Sequence, residues 1–455
     1  MSLYSTQLLP TSFTHAWSLS HAFDSAWVTF CEVLTKATWS PALRLFERNI
    51  TSILSRVSIG EITLITKDGK CKTFGTPSAD GLRATITVTN DVFWVRVGLF
   101  TDLGLAESFL YGDIDIDDVT ALIKILILNA KHLEVMNSVA TQILDAGRSL
   151  TASRFIGNLT NSRANISAHY DIGNAMFEAY LSEDMNYSSA LFLDIDEDLA
   201  PSCDLSIIES LESAQLRKMR YLIRKLQIRP GDRILEIGTG WGSLSILMAQ
   251  TVECTIDTVT LSVEQATAAR KRITSAGLSD RITVHDMDFR ECRAHPDWQG
   301  AFDRFISVEM MEHVGKQFFE EYWAVADWAL KPDTGVGVVQ VITLPEARTP
   351  SYDKNVDFIQ KWSNANPFMY NHKIFPGGYL PSLCMLIDTM RSATSGKLTV
   401  DSVSNIGQHY ARTLREWERR FCTNWETHIQ PALKHKYTLK EDDLEIFRRK
   451  WLYYL

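Results

Sequence analysis

None of the seven cysteines forms a CxxC pair, and the set is odd and dispersed: Cys31, Cys71, Cys203, Cys254, Cys292, Cys384 and Cys422. This spacing argues against a disulfide framework and against a zinc site, and for a reducing compartment. A basic excess is also missing. The net charge of −9 argues against general nucleic-acid affinity. No apolar run reaches the ~18 residues that a membrane span needs. The first forty residues hold a single basic residue, Lys36, unlike a signal or transit peptide. The expectation is a cytoplasmic protein. Arg217, Lys218, Arg220, Arg224 and Lys225 form a local basic run, read as a solvated helix face, with membrane docking the lesser alternative.

What is present is an ordinary globular balance, 45% hydrophobic and 22% charged, in a chain long enough for two or three domains. Residues 1 to about 50 read as amphipathic helix. "EITLITKDGK" and "LRATITVTNDVFWVRV" alternate as strands do, the first turning at Asp68-Gly69. The acidic turn in "YGDIDIDDVTALIKILIL" leads into an apolar helix that Asp117 or Asp118 would cap. Residues 1–140 thus form a small α+β domain. Residues 141–165, rich in Ser, Thr, Asn and Arg, form a linker, and 166–455 form the second domain.

After about residue 207 strands and helices alternate. Strands are expected at 233–237, 255–261, 281–285, 302–308 and 335–342. Helices are expected at 207–227, 242–250, 264–276 and 316–330. This order predicts an α/β, doubly wound, Rossmann-like parallel sheet. An aromatic, proline-containing insertion follows around 345–400, then helices near 404–421 and 438–455.

The first strand runs into "RILEIGTGWGSLS" (233–245), where Gly238, Gly240 and Gly242 let a ligand approach the backbone. A dinucleotide fingerprint would need glycine at the position of Ser243, and a Walker loop would need a lysine. Glu236 followed by GxGxG instead points to S-adenosylmethionine.

Read together, "ISAHYDIGNAMFEAYLSEDMNYSSALF", "ILEIGTGWGSLSI", "VTLSVEQ", "ISVEMMEHVG", "IFPGGYLPS" and "NIGQHYARTLREWERRF" resemble the cyclopropane-fatty-acid synthases and mycolic-acid methyltransferases. The likeness runs from about residue 95 almost to the end. It implies a class I methyltransferase that adds a carbon from S-adenosylmethionine to an alkene in an acyl lipid. Peripheral membrane contact would follow from that substrate. By the same resemblance Gly238, Gly240 and Gly242 line the donor, and Thr260, Leu261, Ser262 and Gln265 contact its ribose. Gln265 stands where many methyltransferases have an acidic residue. Tyr187 and Ser188 would close over the donor, and Asp286, Met287 and Asp288 would reach the adenine, with helix capping the alternative for either aspartate.

The resemblance further implies a bicarbonate ion as base. It would be held by Glu312, Tyr410, the backbone of Ile342, and the positions of Gln340 and Ser189. Two of these depart from the bacterial pattern, which has histidine in place of Gln340 and cysteine in place of Ser189. Glutamine cannot titrate near neutral pH, so the departures bear on proton removal. His169, Tyr370 and Phe375 are candidate substrate contacts, with packing as the alternative for each. Relatives continue past a "W.YYL" run into a final antiparallel strand, whose absence here would leave one wall of the site open. Two alternatives stay open: a C-methyltransferase acting on an unsaturated polyketide or terpenoid, and a non-catalytic lipid- or donor-binding paralogue.

Overall fold

The computed structural model describes residues 43–77, 81–133, 174–200, 207–353, 358–359, 378–437 and 439–455. The chain divides into two compact units: Met1–Ser167 with Glu445–Tyr453, and Ala168–Leu444 with Tyr454–Leu455.

The first unit is built on a four-stranded sheet. Its strands β1 (Gly60–Ile65), β2 (Cys71–Thr76), β3 (Arg83–Val88) and β4 (Ile114–Ile116) lie in the order β2-β1-β3-β4. β1 alternates as its sequence requires, burying Ile62 and Leu64. The β1–β2 hairpin turns at Asp68-Gly69, as expected, with Gly69 at φ +82°. Where "TNDVFWVRV" was expected to extend β3, the strand ends at Val88 and a helix runs over Val92–Leu110. Asn90 makes the break: its side chain accepts from Val92 N–H at 3.2 Å, and its carbonyl from Phe93 N–H at 3.1 Å. Adjacent Phe93 and Trp94 are both buried, which a strand with one covered face cannot achieve. The two aspartates separate cleanly. Asp118 caps helix Val119–Leu128 by accepting from Ala121 N–H at 2.7 Å, while Asp117 accepts from Thr85 N–H of β3 at 2.6 Å.

The second unit carries a five-stranded, all-parallel sheet: β5 (Arg233–Ile237), β6 (Thr255–Thr260), β7 (Ile282–Asp286), β8 (Arg304–Val308) and β9 (Val336–Gln340), ordered β7-β6-β5-β8-β9. Each expected strand is present within two residues at either end. Ile234, Ile256 and Ile306 pack on one face of the sheet, and Leu235, Ile237 and Phe305 on the other. Both faces are therefore covered, as a parallel sheet requires. Helix Leu211–Leu226 buries Leu211, Ala214, Lys218, Leu222 and Leu226 at intervals of three and four. Lys218 is thus not on the solvated face that its basic neighbours suggested. Its position in the apolar stripe outweighs its charge. Among the described residues no helix is long and apolar enough to cross a membrane.

Candidate active site

Chain order reverses at β5, which lies between β6 and β8, so a crevice opens at the carboxyl ends of these strands. The glycine turn sits there. Gly240 has φ +51°, and a Cβ built on it would meet nothing within 4 Å. Gly242 differs: at φ +84° it starts helix Ser243–Thr251, and a Cβ there would come within 3.3 Å of Ala269 Cβ. The middle glycine leaves open space and the last one serves helix packing. The chain before the sheet crosses this turn. Ser243 Oγ donates to the carbonyl of Asp184, Arg272 donates to the same oxygen at 2.9 Å, and the Trp241 indole donates to Asn174 Oδ1 at 3.0 Å.

Glu236 ends its strand buried, its Oε2 accepting from the Ser245 hydroxyl and from Thr258 Oγ1 at 2.6 Å. Burial pushes its carboxyl up to about 7, against the pull of those two donors. After β6, Thr260 Oγ1 donates to Gln265 Oε1 at 3.1 Å and Ser262 caps the next helix, while Leu261 projects outward, 63% exposed. At the end of β7, Asp286 is exposed, and Met287 N–H bonds the Thr260 carbonyl at 3.1 Å. Asp288 takes the capping alternative, closing a capping box with Glu291 and pairing with Arg290 at 2.7 Å. Its side chain is committed within the chain.

The other half of the crevice holds buried titratable groups. Glu312, 4% exposed, follows β8, and its Oε1 accepts from Ile342 N–H. Three residues earlier Glu309 sits at φ +48°. Its Oε1 accepts from Ser189 N–H at 2.9 Å and from the Gln340 amide at 2.7 Å. Burial, then the neighbouring Glu309 charge, pushes the Glu312 carboxyl up to about 8. Lys218 is fully buried and donates to Ser188 Oγ at 2.5 Å, so Ser188 turns its hydroxyl towards Lys218. Burial lowers that ammonium to about 8, opposed by the carboxylates of Glu309 and Asp184. Among the described residues, Glu312 Oε2 and Gln340 Oε1 are buried without a hydrogen-bond partner.

Aromatic rings wall this region. Tyr187 stacks on Trp417 with centroids 5.3 Å apart, and Tyr410 meets Trp417 edge-on at 6.0 Å. The Tyr187 and Tyr454 hydroxyls are 2.9 Å apart. Helix Gln408–Asn424 is tied to the segment bearing Ser189: Thr413 Oγ1 accepts from Ala190 N–H at 3.0 Å and His409 Nδ1 from Phe192 N–H at 3.2 Å. Those bonds fix Tyr410 relative to Ser189.

The structure places Glu312, Gln340, Ser189, Ile342 and Tyr410 in one region. It adds Glu309, Lys218 and Tyr454, which sequence reasoning missed. Glu309 was legible as a second carboxyl in "ISVEMMEHVG", and Lys218 through helical periodicity. Nothing in the sequence signals Tyr454. His169, Tyr370 and Phe375 lie outside the described residues.

Comparison with known proteins identifies the family. Residues 158–443 match the mycolic acid cyclopropane synthetase family. Tuberculostearic acid methyltransferase UfaA1 of Mycobacterium tuberculosis is 32% identical over 96% of this chain and 92% of its own length. Cyclopropane-fatty-acyl-phospholipid synthase of Escherichia coli is 32% identical over 82% of each chain. Among solved structures, coclaurine N-methyltransferase bound to N-methylheliamine and SAH shares the fold, with a TM-score of 0.51 at 17% identity over 79% of this chain and 93% of that one. The chain belongs to the mycolic acid cyclopropane synthetase family of S-adenosylmethionine-dependent methyltransferases that act on lipids.

Proposed function

We propose that the chain adds a one-carbon unit to a C=C bond of an unsaturated acyl lipid, in the manner of a cyclopropane-fatty-acyl-phospholipid synthase. S-adenosylmethionine supplies a sulfonium-bound methyl group, an electrophile that an alkene can attack. The open space at Gly240 suits such a donor, with Gly238 and Gly242 shaping the turn and Thr260, Ser262 and Gln265 beside it. An alkene has no proton to lose before it reacts, so the site must manage a proton afterwards. The observation that carries this reading is the pair Glu309 and Glu312, beside the rings of Tyr187, Tyr410 and Trp417. Rings of this kind stabilise a carbocation through their π faces, and the carboxyl pair supplies an acceptor for its proton. Loss of that proton from the new methyl closes a cyclopropane ring. Loss from a neighbouring carbon leaves a methylene or shifted alkene.

The test is incubation of the purified chain with methyl-labelled donor and liposomes of monounsaturated phospholipid, followed by mass spectrometry. A 14-dalton gain on the acyl chain is expected, and fragmentation separates ring from branch. Donor binding without any methylated lipid would discard this reading.

A further inference from the structure

The resemblance calls for a bicarbonate ion among Glu312, Tyr410, Ile342 and positions 340 and 189. Three of the donors such an ion would use are already engaged by carboxyl groups of the chain. Ser189 N–H and the Gln340 amide both donate to Glu309 Oε1, at 2.9 and 2.7 Å, and Ile342 N–H donates to Glu312. A free anion would have to displace these bonds and lie against the Glu309 carboxylate, a like-charge arrangement that a buried site resists. The residues present do not fit bicarbonate.

We propose that the Glu309 carboxylate takes the place of that ion and is itself the base that accepts the proton lost by the methylated lipid cation. The inference rests on the alkene-methylation reading above. In the step, a C–H bond beside the cationic carbon breaks and its electron pair fills that carbon, closing the ring or forming an alkene. The proton passes to a Glu309 carboxyl oxygen and from there to solvent.

Three further features support this assignment. Glu309 holds left-handed backbone at φ +48°, a conformation that costs a glutamate about 1 kcal/mol and that glycine adopts freely. A side chain kept there against strain is held by its surroundings, here Ser189, Gln340 and the Glu309 N–H bond to the Gln340 carbonyl at 2.7 Å. Lys218, bonded to the adjoining Ser188, acts on Glu309 as an opposite charge and counters the upward push of burial on that carboxyl. Glu312, lacking such a partner, keeps the proton. Glutamine at 340 then has a purpose that histidine would not serve: its amide orients the carboxylate and does not titrate.

The experiment compares wild type, Glu309→Gln and Glu309→Gly. In buffer stripped of carbon dioxide, wild-type methylation of monounsaturated liposomes should stay within about twofold of its rate with added bicarbonate. Glu309→Gln should lose about 100-fold or more in kcat while binding S-adenosylhomocysteine normally by calorimetry. Glu309→Gly, relieved of backbone strain, should regain turnover when bicarbonate or formate is added. A wild-type rate that falls tenfold on depletion, or wild-type turnover in Glu309→Gln, would overturn the proposal. A second readout needs no turnover. 13C-bicarbonate line broadening by the S-adenosylhomocysteine complex should be absent for wild type and saturable for Glu309→Gly. Saturable broadening by wild type would overturn the proposal. If wild type methylates no lipid, the function reading fails, and the broadening experiment still decides what occupies the anion position.

Discussion

Lys218 donates to Ser188 Oγ at 2.5 Å from a position only 1% exposed, one of two buried lysines among the described residues. The negative charges that act on it are those of Glu309 and Asp184. Replacing it with methionine keeps the volume and removes the charge. The Glu309 carboxyl, already raised by burial, should rise further once Lys218 no longer opposes that shift. The acid limb of the kcat profile should therefore move to higher pH. Turnover measured from pH 5.5 to 9 checks this. An unmoved limb would leave Lys218 a packing residue.

The glycine turn should separate binding from stability. Gly240→Val puts a β-branched side chain at φ +51° and into open space, so S-adenosylhomocysteine affinity should fall about 100-fold or more, about 3 kcal/mol. Gly242→Ala instead pushes a methyl group to within 3.3 Å of Ala269 at φ +84°. It should cost about 1–3 kcal/mol of folding stability, read as a lowered urea midpoint. Equal donor affinity in Gly240→Val and wild type would remove the turn from the donor site.

The sheet was readable because its signals are local. The apolar run at 234–237, the glycine turn and the alternation of strand with helix each lie within a dozen residues. Glu312, Tyr410, Gln340 and Ser189 were legible through resemblance, since their spacing along the chain says nothing of their meeting. The break after Val88 was misread because "VFWVRV" satisfies a strand's composition as well as a helix's. Asn90, through side-chain bonds invisible to periodicity, decided between them. Tyr454 reaches Tyr187 across more than 260 residues, a contact that only tertiary packing specifies. Lys218 was misjudged by charge, where its place in the apolar stripe mattered more.

Glu236 makes a stability prediction with a definite sign. Its folded carboxyl titrates near 7, above the ordinary 4.5. A raised carboxyl contributes stability that is fully present below about pH 4.5 and is lost as pH climbs through 7. Glu236→Gln cannot ionise and keeps a carbonyl oxygen for Ser245 and Thr258. The stability of the variant relative to wild type should therefore improve between pH 4.5 and 7 and level off above. The gain should be on the order of 2–3 kcal/mol. Urea unfolding of the ligand-free protein at pH 5 and pH 8 measures it. A difference that does not change with pH would mean that Glu236 ionises as easily folded as unfolded.

Glu312 and Glu309 cannot both carry charge cheaply at three residues' separation, and the donors favour Glu309. Glu312 is then a neutral acid below about pH 8, its Oε1 satisfied by Ile342 N–H and its second oxygen buried without a hydrogen-bond partner among the described residues. Above that pH it ionises beside Glu309, and turnover should fall along an alkaline limb near 8. Glu312→Gln preserves the neutral shape and the acceptor for Ile342. The variant should bind S-adenosylhomocysteine as wild type does, and turn over about tenfold more slowly. Because an amide has no proton to lose at these pH values, its profile should show no limb near 8. Glu312→Ala, which strands Ile342 N–H, should be slower still at every pH. If the limb near 8 survives in Glu312→Gln, another group titrates there, and Lys218, which burial also brings to about 8, is the group to replace next.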